Sequence, residues 1–174
     1  MNILAEIPMP SKLESKSPCE FSSEELDEFQ EAVMEGDEVD PGGLRNRLMS
    51  ARALVLLRDA EKLAAVAALK SPVRAYRTRV LESAGVEIAV AHYPFELGWV
   101  YVYEFARGRK YSQAVSREAL SKSEGTGVFA TSRADNVAMH ATLRRLGFEP
   151  AGTPYRSRRA DQKLQLFLRP AEAD

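Results

Sequence analysis

The most apolar stretch of the chain, FELGWVYVYEF at 95–105, runs directly into an Arg-Gly turn and then into a helical pattern. Apolar residues occupy both alternating sets of this stretch, which is typical of a strand covered on both faces at the centre of a sheet. The sequence KYSQAVSREALSKSEG at 110–125 predicts a helix that begins as soon as the turn ends. This succession restricts the chain to folds in which helices cover a central strand. It also leaves the unpaired N–H groups of the first helical turn at the end of that strand.

The other segments predict helices and strands in a definite order. Leu26, Phe29 and Val33 form an apolar stripe on a helix that begins after Ser22 and Ser23. The elements that follow are a short helix (40–51), two strands (52–59 and 62–70) around a tight turn, an insert (71–94) whose first half is helical, the central strand, a helix (110–125), a strand (126–132), a helix (133–148) and two final strands (148–157 and 163–169). The alanine-rich second strand, KLAAVAALK, is also compatible with a helix. This order predicts an α/β or α+β fold around a mixed sheet.

The length of 174 residues fits one domain with a sizeable core. Residues 1–20 are rich in Pro, Ser and Lys and have no hydrophobic period, so we expect a flexible N-terminal arm there. Residues 21–174 are expected to form the single domain.

Several classes of protein are excluded by composition. No apolar run is long enough to span a bilayer, and the start lacks the basic and apolar regions of a secretory signal, so we expect a cytoplasmic protein with no membrane partner. Cys19 is the only cysteine, and therefore no internal disulfide forms. The two histidines lie far apart in the sequence, which argues against a metal site.

Charge is distributed unevenly along the chain. Residues 20–40 contain ten acids and no base, whereas residues 41–174 contain 22 Lys or Arg against 13 Asp or Glu, a balance of +9. A basic body attracts anionic partners such as nucleotides or nucleic acid. The alternative is a solvated basic surface with the acidic segment packed beside it. In that case we expect the carboxylates of the segment to lie near Arg-rich stretches such as Arg74–Arg79.

The turn after the central strand has features that are typical of an anion-binding site. The N–H groups of residues 108–112 can converge on a diphosphate with help from the helix dipole. Gly108 allows the backbone to approach an anion closely, and Arg109 and Lys110 add positive charge. The alternative is a strand-to-helix turn with a solvated basic rim.

Two segments resemble motifs of the GNAT superfamily of acyl-CoA-dependent N-acyltransferases. ELGWVYVYEFARGRKYS resembles the family's central strand and its pyrophosphate loop, Arg/Gln-x-x-Gly-x-Gly/Ala, with Arg107, Lys110 and Ser112 at the first, fourth and sixth positions. NVAMHATLRRLGF resembles the late helix that starts with Asn and ends on Leu-Gly-Phe. In element order the resemblance covers roughly residues 22–170. It implies a mixed, mostly antiparallel central sheet flanked by helices.

The resemblance also implies a set of site residues. It assigns the diphosphate of acetyl-CoA to Arg107, Gly108, Arg109, Lys110, Tyr111 and Ser112. Asn136 would contact the coenzyme or cap its own helix, and an N–H group near Val102 would polarise the thioester carbonyl. Glu96, at the family's usual spacing before Arg107, would accept the proton of the amine that attacks.

The sequence departs from the family at two positions. Lys110 stands where the family usually has Gly, which makes a positive-φ backbone there more costly. Leu143 stands where the family often has the tyrosine that protonates the leaving thiolate. His140, three residues earlier on a similar helix face, is a substitute acid or else a packed or surface residue.

The implied function is transfer of an acetyl group from acetyl-CoA directly to an amine on a small molecule or a protein, with no metal. Two alternatives stay open: a binding module with the same fold but reduced chemistry, and an acyltransferase whose acceptor is on nucleic acid, as a charged tRNA or a base. The nucleic-acid reading is less favoured. The sequence does not identify the acceptor, and it leaves a homodimer open.

Overall fold

The computed structural model describes residues 11–173, which form one seven-stranded sheet in the order β1-β2-β3-β4-β5-β7-β6. The strands are β1 (Lys12–Lys16), β2 (Ala53–Asp59), β3 (Lys62–Lys70), β4 (Phe95–Val102), β5 (Val128–Arg133), β6 (Glu149–Arg156) and β7 (Lys163–Arg169). Neighbouring strands are antiparallel except β4 and β5, which are parallel. The predicted mixed, mostly antiparallel sheet is therefore confirmed.

Five helices cover the two faces of this sheet: α1 (Ser23–Glu35), α2 (Leu44–Met49), α3 (Arg74–Ala84), α4 (Tyr111–Leu120) and α5 (Val137–Arg145). Helices α4 and α5 bury one face, whereas α1 and α2 cover the N-terminal half of the other and α3 covers its C-terminal half. Within residues 11–173, no helix combines the length and the apolar character needed to cross a bilayer.

The alanine-rich segment 62–70 is a strand rather than a helix. It pairs on both sides, with β2 and β4, and residues Leu63–Leu69 are buried. A strand between two antiparallel neighbours satisfies its backbone groups through the sheet, and this overrides the helix propensity of alanine. The turn before it has positive φ at both Ala60 and Glu61, as a two-residue hairpin loop requires.

The first helix forms for the reasons read from the sequence. The Ser22 hydroxyl accepts the Glu25 N–H at 3.2 Å, and the Glu25 carboxylate accepts the Ser22 N–H at 2.8 Å, which closes a capping box. Leu26, Phe29 and Val33 are buried against the sheet, as predicted.

The acidic segment finds other partners than the expected ones. We expected its carboxylates beside residues 74–79, but they pair with Arg45, Arg58, Arg133 and Arg159. That expectation is wrong because α3, which carries residues 74–79, packs on β6 and β7, whereas α1 packs on β3 and β4. Sequence order does not reveal which half of a sheet a helix covers.

The predicted flexible arm is wrong for residues 12–20. Lys12–Lys16 pairs antiparallel with β2, and a single 3₁₀ turn (Pro18–Glu20) then leads to the buried Phe21. The polar sequence of β1 shows no period because the strand is an edge strand, held by backbone pairing more than by burial. The remainder of the predicted arm, residues 1–10, lies outside the described residues.

The centre of the sheet opens between β4 and β5. These strands pair only at Phe95–Val128 and Glu96–Phe129. Beyond this point the register of β4 against β3 shifts, and Trp99 has a φ of 51°, as at a β-bulge. The predicted central strand is confirmed, but its second half is only partly buried because β5 no longer covers its edge.

Candidate active site

A cleft of about 1390 Å³ occupies the space where β4 and β5 separate. The second half of β4, the end of β5 and the start of α5 form its walls. The end of α1, the segment after it and the β6–β7 hairpin also line the cleft. The cleft therefore connects the start of α4 to the surface near the acidic segment.

The loop between β4 and α4 presents a row of unpaired N–H groups. In the described part of the chain, no hydrogen-bond acceptor takes the N–H of any residue from 108 to 113. The Ala114 N–H is the first of the helix to bond, at 3.1 Å to the Lys110 carbonyl. Gly108 has a φ of 81° and nothing lies within 4 Å of its open side. This geometry is typical of an anion-binding loop at a helix N-terminus.

Lys110 has the left-handed backbone conformation that glycine adopts without strain. It is the residue before α4 and has a φ of 60°, in the left-handed region. A side chain there costs roughly 1 kcal/mol or more relative to glycine. Lys110 therefore occupies a backbone conformation that favours glycine, and its exposed side chain lies at the rim of the loop.

The other side chains of the loop divide into two groups. Arg109 forms an ion pair with Asp59, and the Tyr111 hydroxyl donates to the same carboxylate at 3.1 Å, so both tie the loop to the β2–β3 turn. Arg107 and Ser112 instead line the cleft. Arg107 Nε also donates to the Val102 carbonyl at 3.3 Å, which fixes the entry to the loop.

The free edge of β4 supplies further donors to the cleft. The Tyr103 N–H donates to the Ala64 carbonyl of β3 at 2.9 Å. Successive N–H groups of an antiparallel strand point to opposite sides, so the Val102 N–H points away from β3 and into the cleft. The sequence placed Val102 among the donors, and its N–H is available to a ligand.

Asn136 has a structural task as well as a place on the wall. Its Oδ1 accepts the Met139 N–H at 3.1 Å and thereby caps α5, and the residue also lines the cleft. The position of Asn136 is therefore compatible with both roles suggested by the sequence, capping its own helix and contacting the coenzyme.

Glu96 lies on the wall of the cleft, close to the point where β4 and β5 separate. It is only 3% exposed and is surrounded by hydrogen-bond donors. Lys70 Nζ lies 2.7 Å from its Oε2, while the Tyr76 hydroxyl at 3.3 Å and the Thr131 hydroxyl at 3.5 Å face its Oε1. Glu96 was predicted from the sequence, whereas Lys70 and Thr131 were not. Lys70 and Glu96 are cross-strand neighbours, so only the register of β3 against β4 could have paired them.

The charge of Glu96 helps to raise the pKa of two tyrosines. The negative charge of Glu96, followed by burial, raises the pKa of Tyr76 far above its ordinary value. Burial and the same charge raise the pKa of Tyr155 to about 12. Both phenols therefore stay protonated well above neutral pH, and the Tyr76 hydroxyl donates to Glu96.

The structure does not bring His140 to the cleft. Its Nε2 lies 2.9 Å from the carbonyl oxygen of Arg133, and its ring packs on Phe167 at 4.8 Å between centroids. Leu143 is fully buried in the core on the same side of α5. The helix turns Met139 and Thr142 toward the cleft instead. Residues 140 and 143 do share a face, as predicted, but that face is the core face.

Among residues 11–173, no group of three or more His, Cys, Asp or Glu side chains could hold a metal ion.

No protein-family model matches the sequence, and no curated protein matches it. Solved structures do match. Escherichia coli ElaA superimposes with a TM-score of 0.66 at 15% identity, covering 92% of this chain and 99% of that one. The ribosomal-protein-S18-alanine N-acetyltransferase of Escherichia coli gives 0.67 at 14% identity, with coverages of 95% and 96%. A GNAT superfamily phosphinothricin acetyltransferase from Sinorhizobium meliloti, solved with acetyl-CoA, gives 0.66 at 16% identity, with coverages of 94% and 89%.

At these identities the likeness concerns the fold, and it extends over nearly the whole of both chains. The chain therefore has the fold of the GNAT superfamily of acyl-CoA-dependent N-acyltransferases, as the two sequence motifs predicted.

Proposed function

We propose that the chain is an N-acetyltransferase that passes an acetyl group from acetyl-CoA directly to an amine. The observation that carries this proposal is the row of unpaired N–H groups at residues 108–113, at the mouth of a cleft that leads to a buried carboxylate. A solved relative in fold, the Sinorhizobium meliloti enzyme, was determined with acetyl-CoA bound.

The residues of the loop fit a diphosphate. Six consecutive N–H groups, the dipole of α4 and the exposed cations of Arg107 and Lys110 offer donors and positive charge in one place. Gly108 leaves the approach open. In this assignment Arg109 and Tyr111 act through their backbone N–H groups, since their side chains are bound to Asp59.

Acetyl-CoA, when bound, supplies an acyl group activated as a thioester. Val102 lies six residues beyond Glu96, up to about 20 Å along an extended strand. One amine cannot contact the Glu96 carboxylate while attacking a carbonyl held at the Val102 N–H. We therefore assign Val102 to the pantetheine arm of the coenzyme and place the thioester nearer the bulge at Trp99.

Glu96 is the base in this assignment. An acceptor ammonium must lose a proton before its nitrogen can attack, and the buried carboxylate accepts that proton directly or through one water molecule. His140 and Leu143 face the core, so α5 contributes no acid. A thiolate is a fair leaving group, so the reaction proceeds without an acid that protonates it.

One observation favours a second function, that of a binding module. Glu96 already has an ammonium partner in Lys70, and a carboxylate in an ion pair is less available to an external amine. In a module without catalysis, the cleft would bind the coenzyme or another anion and turn nothing over.

The test has two measurements. Calorimetry with acetyl-CoA reports binding, and thiol release in the presence of a panel of small amines and peptides with free N-termini or lysines reports transfer. The acetyltransferase requires both. Binding without thiol release for any amine would support the module, and no binding of acetyl-CoA would contradict both the acetyltransferase and a module that binds the coenzyme.

A further inference from the structure

The cleft already contains a primary amine that belongs to the chain. Lys70, the last residue of β3, lies directly opposite Glu96 on β4, and its Nζ is 2.7 Å from the Glu96 carboxylate. The ammonium is flanked by two aromatic rings, with centroids at 5.0 Å for Trp99 and 5.7 Å for Tyr76. An ammonium between aromatic faces and a carboxylate is in the kind of environment that binds a cationic amine ligand.

The path of the Lys70 side chain depends on a glycine. A Cβ added at Gly98 would lie 2.7 Å from the Lys70 Cδ, so the Lys70 stem crosses β4 through the space that a glycine leaves. This crossing point is next to the bulge at Trp99, where β5 leaves β4. The Lys70 side chain is 20% exposed and lines the cleft, so a ligand bound in the cleft can reach its amine.

A purely structural role does not account well for this placement. Two charges removed from water are costly, and a buried ion pair contributes little net stability compared with apolar packing. Here the pair stands in the wall of the cleft, and one of its two members, Glu96, is the proposed base. An amine held on that base has the position that the proposed reaction requires of its acceptor.

We propose that Lys70 is itself an acyl acceptor, so that the chain acylates its own cleft. The proposal rests on the proposed function, because the acyl donor is acetyl-CoA. It assigns a modification site to the Lys70 Nζ.

The step balances without a further reactant. The Lys70 ammonium gives one proton to the Glu96 carboxylate, and the nitrogen lone pair then forms a bond to the acyl carbon. The carbon–sulfur bond breaks, and the departing sulfur takes the second proton from the nitrogen. The products are an uncharged acetyl-lysine at position 70 and free coenzyme A, and the proton on Glu96 passes to solvent.

The test is a time course of the purified chain with acetyl-CoA, followed by peptide mass spectrometry. Lys122 is the matched control because it also lies near a glutamate, 3.6 Å from Glu118, but on the surface. Lys70 should gain one acetyl group about 10-fold or more faster than Lys122, since only Lys70 has the donor and base in one cleft. Acetyl phosphate, which modifies lysines without enzymatic help, should show no preference for Lys70.

Two variants sharpen the result. Glu96→Gln should slow acetylation of Lys70 to about the rate of Lys122, while acetyl-CoA affinity stays unchanged. Lys70→Arg keeps a cation opposite Glu96 and should lose the added mass from the peptide that contains position 70.

Equal rates at Lys70 and Lys122 in the wild-type chain would overturn the proposal, and so would an unmodified Lys70 in a chain that acetylates external amines. Both results leave the proposed function standing. A chain that does not bind acetyl-CoA contradicts the proposed function, and self-acylation is then overturned with it.

Discussion

At the scale of single residues, the loop before α4 depends on two left-handed positions, Gly108 and Lys110. Their backbone turns successive N–H groups toward the same side, which is the basis of the proposed diphosphate site. Glycine adopts this conformation without strain, whereas a left-handed backbone at a lysine costs free energy. The loop therefore keeps a shape that its sequence disfavours, as binding loops often do.

Gly108→Val should weaken acetyl-CoA binding at least tenfold, about 1.4 kcal/mol, because a branched side chain disfavours the positive φ and covers the N–H groups. Calorimetry measures the affinity. Gly85→Val is the matched control, since Gly85 also has a positive φ and open space around it but ends α3 away from the loop. The control should lower stability and leave affinity unchanged. Equal affinities for Gly108→Val and the wild type would rule out this placement of the diphosphate.

Glu96→Gln should lower kcat by roughly 10²-fold with little change in acetyl-CoA affinity, as expected when a general base is lost. The measurement is steady-state thiol release with an amine found in the panel, corrected for the folded fraction because Lys70 loses its ionic partner. Glu82→Gln, an exposed glutamate of α3, serves as the control. Normal turnover in Glu96→Gln would mean that water or another group takes the proton.

Tyr155 makes stability sensitive to alkaline pH. Its pKa is raised from 10.0 to about 12 in the folded chain, so between these values the unfolded chain releases the proton first. The stabilising contribution is fully present below about pH 10 and is lost as the pH rises through about 12. In Tyr155→Phe the free energy of unfolding should fall less steeply over this interval in denaturant titrations. If the free energy of unfolding fell equally steeply with pH in the wild type and in Tyr155→Phe, the raised pKa of Tyr155 would be contradicted.

At the scale of elements, the bulge in β4 and helix α1 depend on each other. Phe29 of α1 is fully buried and meets the Trp99 ring edge-on, with 6.5 Å between centroids. Trp99 is the residue whose positive φ marks the bulge. The helix thus covers the point where β4 changes register, and it supports the wall of the cleft from behind.

Phe29→Ala should reduce the free energy of unfolding by about 3–5 kcal/mol, the usual cost of truncating a buried phenylalanine. Phe105→Ala is the control, because Phe105 is 43% exposed and should cost about 1 kcal/mol or less. Both values come from chemical denaturation. A small effect at Phe29 would mean that α1 rests on the sheet loosely and does not support the bulge.

At the scale of the whole molecule, the acidic segment binds arginines from four parts of the chain. Asp27 pairs with Arg45, Glu28 with Arg58, and the segment after α1 reaches Arg133 and Arg159 at the border of the cleft. Exposed pairs of this kind add little stability, up to about 1 kcal/mol each. Their larger effect is on the electrostatic field, because they neutralise basic groups that would otherwise face an anionic partner.

Replacing Glu24, Glu25, Asp27, Glu28 and Glu31 by their amides should raise affinity for generic RNA at low salt, because Arg45 and Arg58 are released. The gain should fade as salt rises and screening increases. Fluorescence anisotropy over a salt series measures it.

The control for this experiment neutralises five exposed acids outside the segment and so reproduces the change in net charge. These are Glu61, Glu82, Glu87, Glu149 and Asp161. An equal gain in both variants would show that net charge alone decides RNA binding. No gain in either would remove the main support for an acceptor on nucleic acid.

Much of the fold was readable because its signals are local. The serines before α1, its apolar stripe and the apolar runs between turns act over a few residues, and the structure follows them. The edge strand β1 was not readable, because its polar sequence is held by the free edge of β2. For His140 the sequence left two alternatives, a substitute acid or a packed or surface residue, and in the structure its ring packs on Phe167.

The sequence by itself determined the order of elements, the glycine loop before α4 and the position of Glu96 on the central strand, since each depends on neighbours in the chain. Only the tertiary structure decided what surrounds Glu96. Lys70 and Thr131 come from strands on either side of β4, and the register of three strands sets their distances to the carboxylate. That register depends on the bulge at Trp99 and on the packing of α1 behind it. Contacts between residues distant in sequence are fixed by packing the whole sheet, and no local pattern records them.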